Sequence, residues 1–272
     1  IGNIAYWNEH KDKLRASVYK DMMKGIYAGA LVNTGNLNEA AEIYYELGDM
    51  LSLMWVMRDQ RNLDGIKKEY ARNPNSPALI FLVQDFVNNT SDSHYSCKNQ
   101  RWCYYGDDKD DTENVKQMAA FVKFAQQVVN EGKTSTPALW QAAMGWLNHS
   151  MGNSSLAISQ LEAAMKMKGT ERMLDNARVC RLVATAESIK DEKKLCAFME
   201  KELKWMIEKE TAEPSDAGCI YCDKGSNHYT EVMQNLIYDS LAPRLYEEGN
   251  YNLATSLLGW MNNHTVDNGD FK

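Results

Sequence analysis

GWLNHSMGNSSLAISQLEAA, residues 145–164, is built on four fixed points. A small residue, Gly145, is followed seven positions later by the pair Gly152-Asn153; Ala157 comes five after that glycine, and Leu161 four further on. The template recurs twice. AGALVNTGNLNEAAEIYYEL at 28–47 sets Ala28, Gly35-Asn36, Ala40 and Tyr44 on it, and APRLYEEGNYNLATSLLGWM at 242–261 sets Ala242, Gly249-Asn250, Ala254 and Leu258. This spacing predicts a helical hairpin. Glycine ends the first helix in a left-handed conformation that a Cβ would penalise. The small residue and the alanine let two antiparallel helices approach closely, and the large residue fills the ridge toward the next hairpin.

Outside these three segments the chain reads as helix with few interruptions. Further helices are expected around 49–71, 77–89, 112–131, 171–189 and 191–210, in the stretches that separate the matches. Ser76-Pro77 and Thr136-Pro137 each put a hydroxyl cap before a proline at the first helical position. Period-two runs of β-branched residues are scarce, so the fold class is all-α.

Small–x6–Gly–x4–Ala–x3–large resembles the core signature of tetratricopeptide-type repeats, helix–turn–helix units of about 34 residues. The position four before the turn glycine, where that family places an aromatic, holds Leu31, Asn148 and Leu245 here. The resemblance implies a right-handed superhelix of antiparallel helix pairs, an α-solenoid of about five or six pairs forming a single domain over 1–272. The chain is also similar to the helical-repeat part of large cell-envelope proteins of gut bacteria, which implies an extracytoplasmic setting. It opens on Ile1 with no initiator methionine, as expected of a piece of a longer protein.

Composition narrows the function classes. The 272 residues are 44% hydrophobic and 25% charged, with a formal net charge of −7, so no basic footprint for nucleic acid is expected. The longest apolar stretches, such as MLSLMWVM at 50–57, fall short of the roughly 18–20 residues that span a bilayer.

Two polar stretches, at about 90–111 and 211–227, read as long loop insertions. The first holds His94, Cys97 and Cys103; the second holds Cys219 and Cys222, with His228 just beyond it. Three readings stand side by side. Together these six residues offer enough ligands for zinc if the loops meet in space. Alternatively, Cys219-x2-Cys222 forms a thiol–disulfide couple, although no neighbouring strand supports one. The third reading, preferred over chemistry, is a pair of local disulfides, Cys97–Cys103 and Cys219–Cys222, in an oxidising compartment. Cys180 and Cys196, flanked by apolar helical residues, read as buried thiols.

Other motifs fail. GDDKDD at 106–111 puts Lys109 at a calcium-ligand place and serves better as the acidic start of a helix capped by Asp111 or Thr112. No H-E-x-x-H, G-x-S-x-G, Walker A or G-x-G-x-x-G motif occurs. Asn-x-Ser/Thr sequons at Asn88, Asn89, Asn148, Asn153 and Asn263 matter only in a glycosylating host.

What remains is binding. The tetratricopeptide resemblance implies a concave groove lined by the first helix of each pair. Its candidate residues are Ala142, Trp146 and His149 in the middle repeat, Asp239, Pro243 and Tyr246 in the last, and Gly25, Gly29 and Val32 in the first. Trp146 and Tyr246 lead, because aromatic side chains dominate binding hot spots; the competing reading makes both inter-repeat core. Trp55, Trp140, Trp205 and Trp260 stand at core spacing. The expected function is a non-catalytic scaffold for a protein or peptide partner, without a cofactor. The alternatives are a metal- or thiol-dependent enzyme module built on the Cys/His loops and a purely architectural spacer.

Overall fold

The structure, a computed structural model, describes residues 2–58, 63–98, 108–213 and 227–268, with side chains described for 2–57, 63–91, 112–213 and 227–264. Every regular element among them is helical, and the chain divides into two compact units, Ile1–Leu174 and Asp175–Lys272. The first unit holds α1 (Gly2–Arg15), α2 (Lys20–Asn33), α3 (Leu37–Leu47), α4 (Met50–Arg58), α5 (Leu63–Arg72), α6 (Pro77–Lys98), α7 (Asp108–Glu131), α8 (Pro137–Ser150) and α9 (Ser154–Ala164). The boundary falls in the first turn of α10 (Glu171–Ser188). The second unit continues with α11 (Glu192–Ala212), α12 (His228–Gln234), a π-helical segment (Asn235–Leu241), α13 (Ala242–Glu247) and α14 (Tyr251–Asn268).

The three Gly-Asn pairs make the same turn. Gly35, Gly152 and Gly249 have φ of 80°, 85° and 79°. In each, the asparagine N–H donates five residues back, to Leu31 O (2.9 Å), Asn148 O (2.8 Å) and Leu245 O (2.7 Å), and the glycine N–H donates three back, to Val32, His149 and Tyr246. These paired bonds satisfy the last carbonyls of α2, α8 and α13. The asparagine carbonyl then accepts the first bond of the next helix, from Ala40, Ala157 and Ala254. All three alanines are buried, as are Ala28 and Ala242. Where α8 meets α9, a Cβ added to Gly145 would lie 2.5 Å from Leu161 Cγ and 3.3 Å from Ala157 O, so this crossing admits only hydrogen.

The first unit has two cores. Trp7, stacked on Tyr27 at 5.0 Å, packs with Ala28, Leu31 and Ala40 across α1–α3. A larger core over α4–α8 centres on Trp140, which is fully buried against Phe121, Phe124 and Tyr70. Burial, then the hydrogen bond to Glu131, pushes the Tyr70 hydroxyl up to about 12.

In the second unit, α12, the π segment and α13 run on without a break and carry a core of Tyr229, Met233, Ile237, Leu241 and Leu245. The Ala242 N–H donates to Ile237 O, five residues back, just before Pro243. The wide turn takes up the register that Pro243, lacking an N–H, would otherwise break. Buried Glu202 of α11 accepts from Arg178 (2.9 Å) and Arg181 (2.8 Å) of α10, and Arg178 lies over the Trp205 ring at 3.9 Å. Arg244 donates to the Ala186 and Glu187 carbonyls, capping the C-terminal end of α10.

Several expectations need correction. The stretch 90–111 is not one loop, because α6 runs to Lys98 and α7 starts at Asp108. Thr90 and Asn89 hydrogen-bond the Phe86 and Asp85 carbonyls four residues back, so residue types that often start turns support the helix here. Asp111 and Thr112 therefore lie inside α7 and do not cap it, and the acidic run forms its first turn, where the helix dipole favours it. α11 likewise extends to Ala212. Thr136 precedes Pro137 as expected, but its side chain makes no capping bond. Trp55 is 56% exposed, because α4 buries Leu53, Val56 and Met57 on its other side.

Candidate protein-docking groove

A concavity of about 680 Å³ lies in the second unit, between α11 and α14. Its floor is Leu195, Met199 and Leu203 of α11, each buried and spaced one turn apart. Its wall is Leu253, Leu257 and Trp260 of α14, half-buried at i, i+4 and i+7. Along the rim, on successive turns of α11, stand Cys196, Glu200, Lys204 and Glu208, all exposed.

Just beyond Glu208 and Trp260, α11 and α14 meet in a polar clasp. Glu210, near the end of α11, accepts from the Thr230 hydroxyl (2.5 Å) and pairs with His264 Nε2 of α14 (2.7 Å). Asn227 caps α12 by accepting from the N–H groups of Tyr229 (3.1 Å) and Thr230 (3.3 Å), and its amide donates to Glu210 O (2.9 Å). His264 stacks on Trp260, with ring centroids 5.4 Å apart and an interplanar angle of 5°. The clasp thus joins α11, α12 and α14 and fixes the indole that walls the groove. It does not have the order of a nucleophile relay: the Glu210 carboxylate stands between the Thr230 hydroxyl and the His264 imidazole.

The sequence-derived candidates fall elsewhere. In the first unit, Trp146 and His149 meet on α8 with ring centroids 5.3 Å apart; Trp146 is half-buried against the core and His149 is buried. Of their neighbours, Ala142 is half-buried, as are Gly25, Gly29 and Val32 on α2. In the second unit, Tyr246 is 65% exposed and packs edge-on against Tyr251 at 4.8 Å, across the Gly249 turn. Asp239 is exposed on the π segment, and Pro243 is half-buried.

Among the proposed metal or disulfide residues, Cys103, Cys219 and Cys222 lie outside the described residues. His94 and Cys97 have backbone in α6, but their side chains lie outside the description. His228, the first residue of α12, is half-buried beside Tyr229, with ring centroids 5.4 Å apart. Among the described residues, no three His, Cys, Asp or Glu side chains converge as metal ligands. No described helix is long and apolar enough to cross a membrane.

The two remaining cysteines part company. Cys180 is half-buried on α10, short of the full burial expected, and desolvation pushes its thiol up to about 12, which makes it a poor nucleophile. Cys196 is exposed, correcting the expectation that both are buried, because α11 turns this position toward the groove rim.

Sequence reasoning missed the groove because it assigned apolar helix spacing to core. The available signal was the width of the apolar arc on α11. Phe198 and Trp205 meet the arginines of α10, while Leu195, Met199, Leu203 and Ile207 remain for another face. No family model, curated protein or solved structure matches the chain.

Proposed function

We propose that this chain is a non-catalytic helical-repeat scaffold, related in design to tetratricopeptide arrays, which docks a protein partner through the partner's apolar helix face. The observation that carries this reading is the groove between α11 and α14, an apolar trough with a polar rim. Two helices separated by an apolar trough are the usual receptor for an amphipathic helix, which anchors in it at i, i+3, i+4 and i+7. The three hairpin turns, alike in their hydrogen bonds and glycine φ, support the repeat architecture, in which adjacent helix pairs leave such troughs between them. The docking face therefore lies along the second helices of successive pairs, whereas the family resemblance pointed to the first helices.

The test is selection of amphipathic helical peptides from a displayed library against the purified chain, followed by affinity measurement against groove variants. Ser256 is exposed on the α14 wall, so Ser256→Arg places a charge in the trough at little cost to folding. Selected peptides are expected to lose at least about tenfold in affinity, or about 1.4 kcal/mol. Peptides that bind Ser256→Arg as tightly as the parent chain refute the reading.

A further inference from the structure

The two walls of the α11–α14 groove differ in charge. From Tyr251 to Asn263, α14 carries no Asp, Glu, Lys, Arg or His. Its exposed edge is low as well: Ser256 and Gly259 stand three residues apart, and a Cβ added at Gly259 would meet nothing within 4 Å. A glycine inside a helix is destabilising relative to alanine, and no contact among the described residues requires this one. The edge therefore offers a partner close backbone approach and no charge to match.

The α11 edge is the opposite. Glu200, Lys204 and Glu208 follow one another at four-residue steps, about 6 Å apart along the helix. All three are exposed, and among the described residues none has a side-chain hydrogen bond or ion pair. Charged groups of the same helix that face its neighbours behave differently: Glu202 is held by Arg178 and Arg181, Lys209 pairs with Asp175 at 2.6 Å, and Glu210 pairs with His264. The helix thus pairs its charges where a neighbour packs and leaves an alternating trio of carboxylate, ammonium and carboxylate over the open trough.

We propose that the partner helix taken by this groove carries a basic–acidic–basic flank, with Lys or Arg at i and i+8 and Asp or Glu at i+4, which lies along the α11 edge, and small uncharged residues on the flank that meets α14. This rests on the reading of the groove as a docking surface and names the partner's chemistry. Opposite charges then meet three times at the rim, while the apolar stripe between the two flanks fills the trough over Leu195, Met199 and Leu203. The trio reads the same from either end, so it selects a partner by charge pattern and not by chain direction. An acidic–basic–acidic flank sets like charges together at all three places and is disfavoured.

The test is selection from a displayed library of helical peptides with a fixed leucine stripe, in which the flank positions i, i+4 and i+8 vary among Lys, Glu and Gln, followed by affinity measurement against the full chain. Lys–Glu–Lys peptides are expected to dominate and to bind about tenfold more tightly than Glu–Lys–Glu peptides of the same stripe, a margin that shrinks as salt is raised because the rim is exposed. A reversed rim (Glu200→Lys, Lys204→Glu and Glu208→Lys) inverts the preference. Circular dichroism checks that this variant folds; if it does not, Glu200→Gln with Glu208→Gln takes its place and should lose the margin. Equal affinities for the two patterns, or a preference that survives the rim changes, overturns the proposal. If such peptides still lose affinity to Ser256→Arg, the docking reading stands and only the charge pattern falls; if no peptide depends on Ser256, the docking reading falls and the proposal with it.

Discussion

Replacing Gly145 by alanine sets two effects of known sign against each other. A helix-interior glycine costs about 1 kcal/mol relative to alanine, so propensity alone favours the substitution. Against this, the new methyl would sit 2.5 Å from Leu161 Cγ and 2.9 Å from Leu161 Cδ2, with the Ala157 carbonyl at 3.3 Å. A branch-point carbon and a backbone oxygen have little room to yield, and overpacking of this kind costs about 1–3 kcal/mol. Gly145→Ala is therefore expected to destabilise the chain by about 1 kcal/mol net. Leu161→Ala alone opens a cavity at a fully buried position and costs about 3 kcal/mol. Combined with Leu161→Ala, Gly145→Ala changes sign, because its main obstacle is gone and the propensity gain of about 1 kcal/mol remains. The assay is urea denaturation of the four species followed by far-ultraviolet circular dichroism, with the coupling taken from the double-mutant cycle. Additive effects, or a Gly145→Ala chain more stable than the parent, would refute the close approach of α8 and α9. Gly29 is the control: its nearest potential contact is Tyr44 Oη at 3.8 Å, so Gly29→Ala should stabilise by up to about 1 kcal/mol.

Three further predictions follow from the two units. Tyr27, Tyr44 and Tyr70 all have hydroxyls raised above the ordinary value of 10.0, mainly by burial. The folded state holds these protons more tightly than the unfolded chain, so stability is intact below about pH 10 and falls between about pH 10 and 12; Tyr70→Phe should flatten that loss in pH-dependent melting, and an unchanged profile would count against it. Glu202→Ala leaves Arg178 and Arg181 without their shared carboxylate and should cost about 3 kcal/mol, whereas a change below about 0.5 kcal/mol would reduce the trio to a surface pair. Cys196 should react with an alkylating reagent in the native chain much faster than half-buried Cys180, whose thiol is pushed up by desolvation, as read by peptide-resolved mass spectrometry; equal native labelling rates would contradict their placement.

The legible part of this fold was local geometry. A glycine at positive φ and a buried alanine five residues later are imposed by backbone sterics and close packing, so Gly35-Asn36, Gly152-Asn153 and Gly249-Asn250 announced their turns directly. Less legible was where helices stop. Ser91, Asn89 and Thr90 bond equally well to turns and to their own helix carbonyls, and the sequence does not say which. The α11–α14 groove was least legible, because the same i, i+4, i+7 stripe serves a core and an open trough. Trp260 and Trp140 looked alike, yet one walls a groove and the other is fully buried among Phe121, Phe124 and Tyr70. The difference lies in which neighbour is absent, and that is a property of the packed helices and not of either helix alone.

The most direct test of the docking account is a map of where a selected helical peptide lands, read from methyl chemical-shift perturbations in the intact chain. The account predicts shifts concentrated on Met199, Leu203 and Ile207 of α11 and on Leu253 and Leu257 of α14, with the methyls nearest Trp146 and Tyr246 unmoved. Shifts centred instead on α8 around Trp146, or on α13 beside Tyr246, would contradict it and return the binding face to the first helices of the pairs.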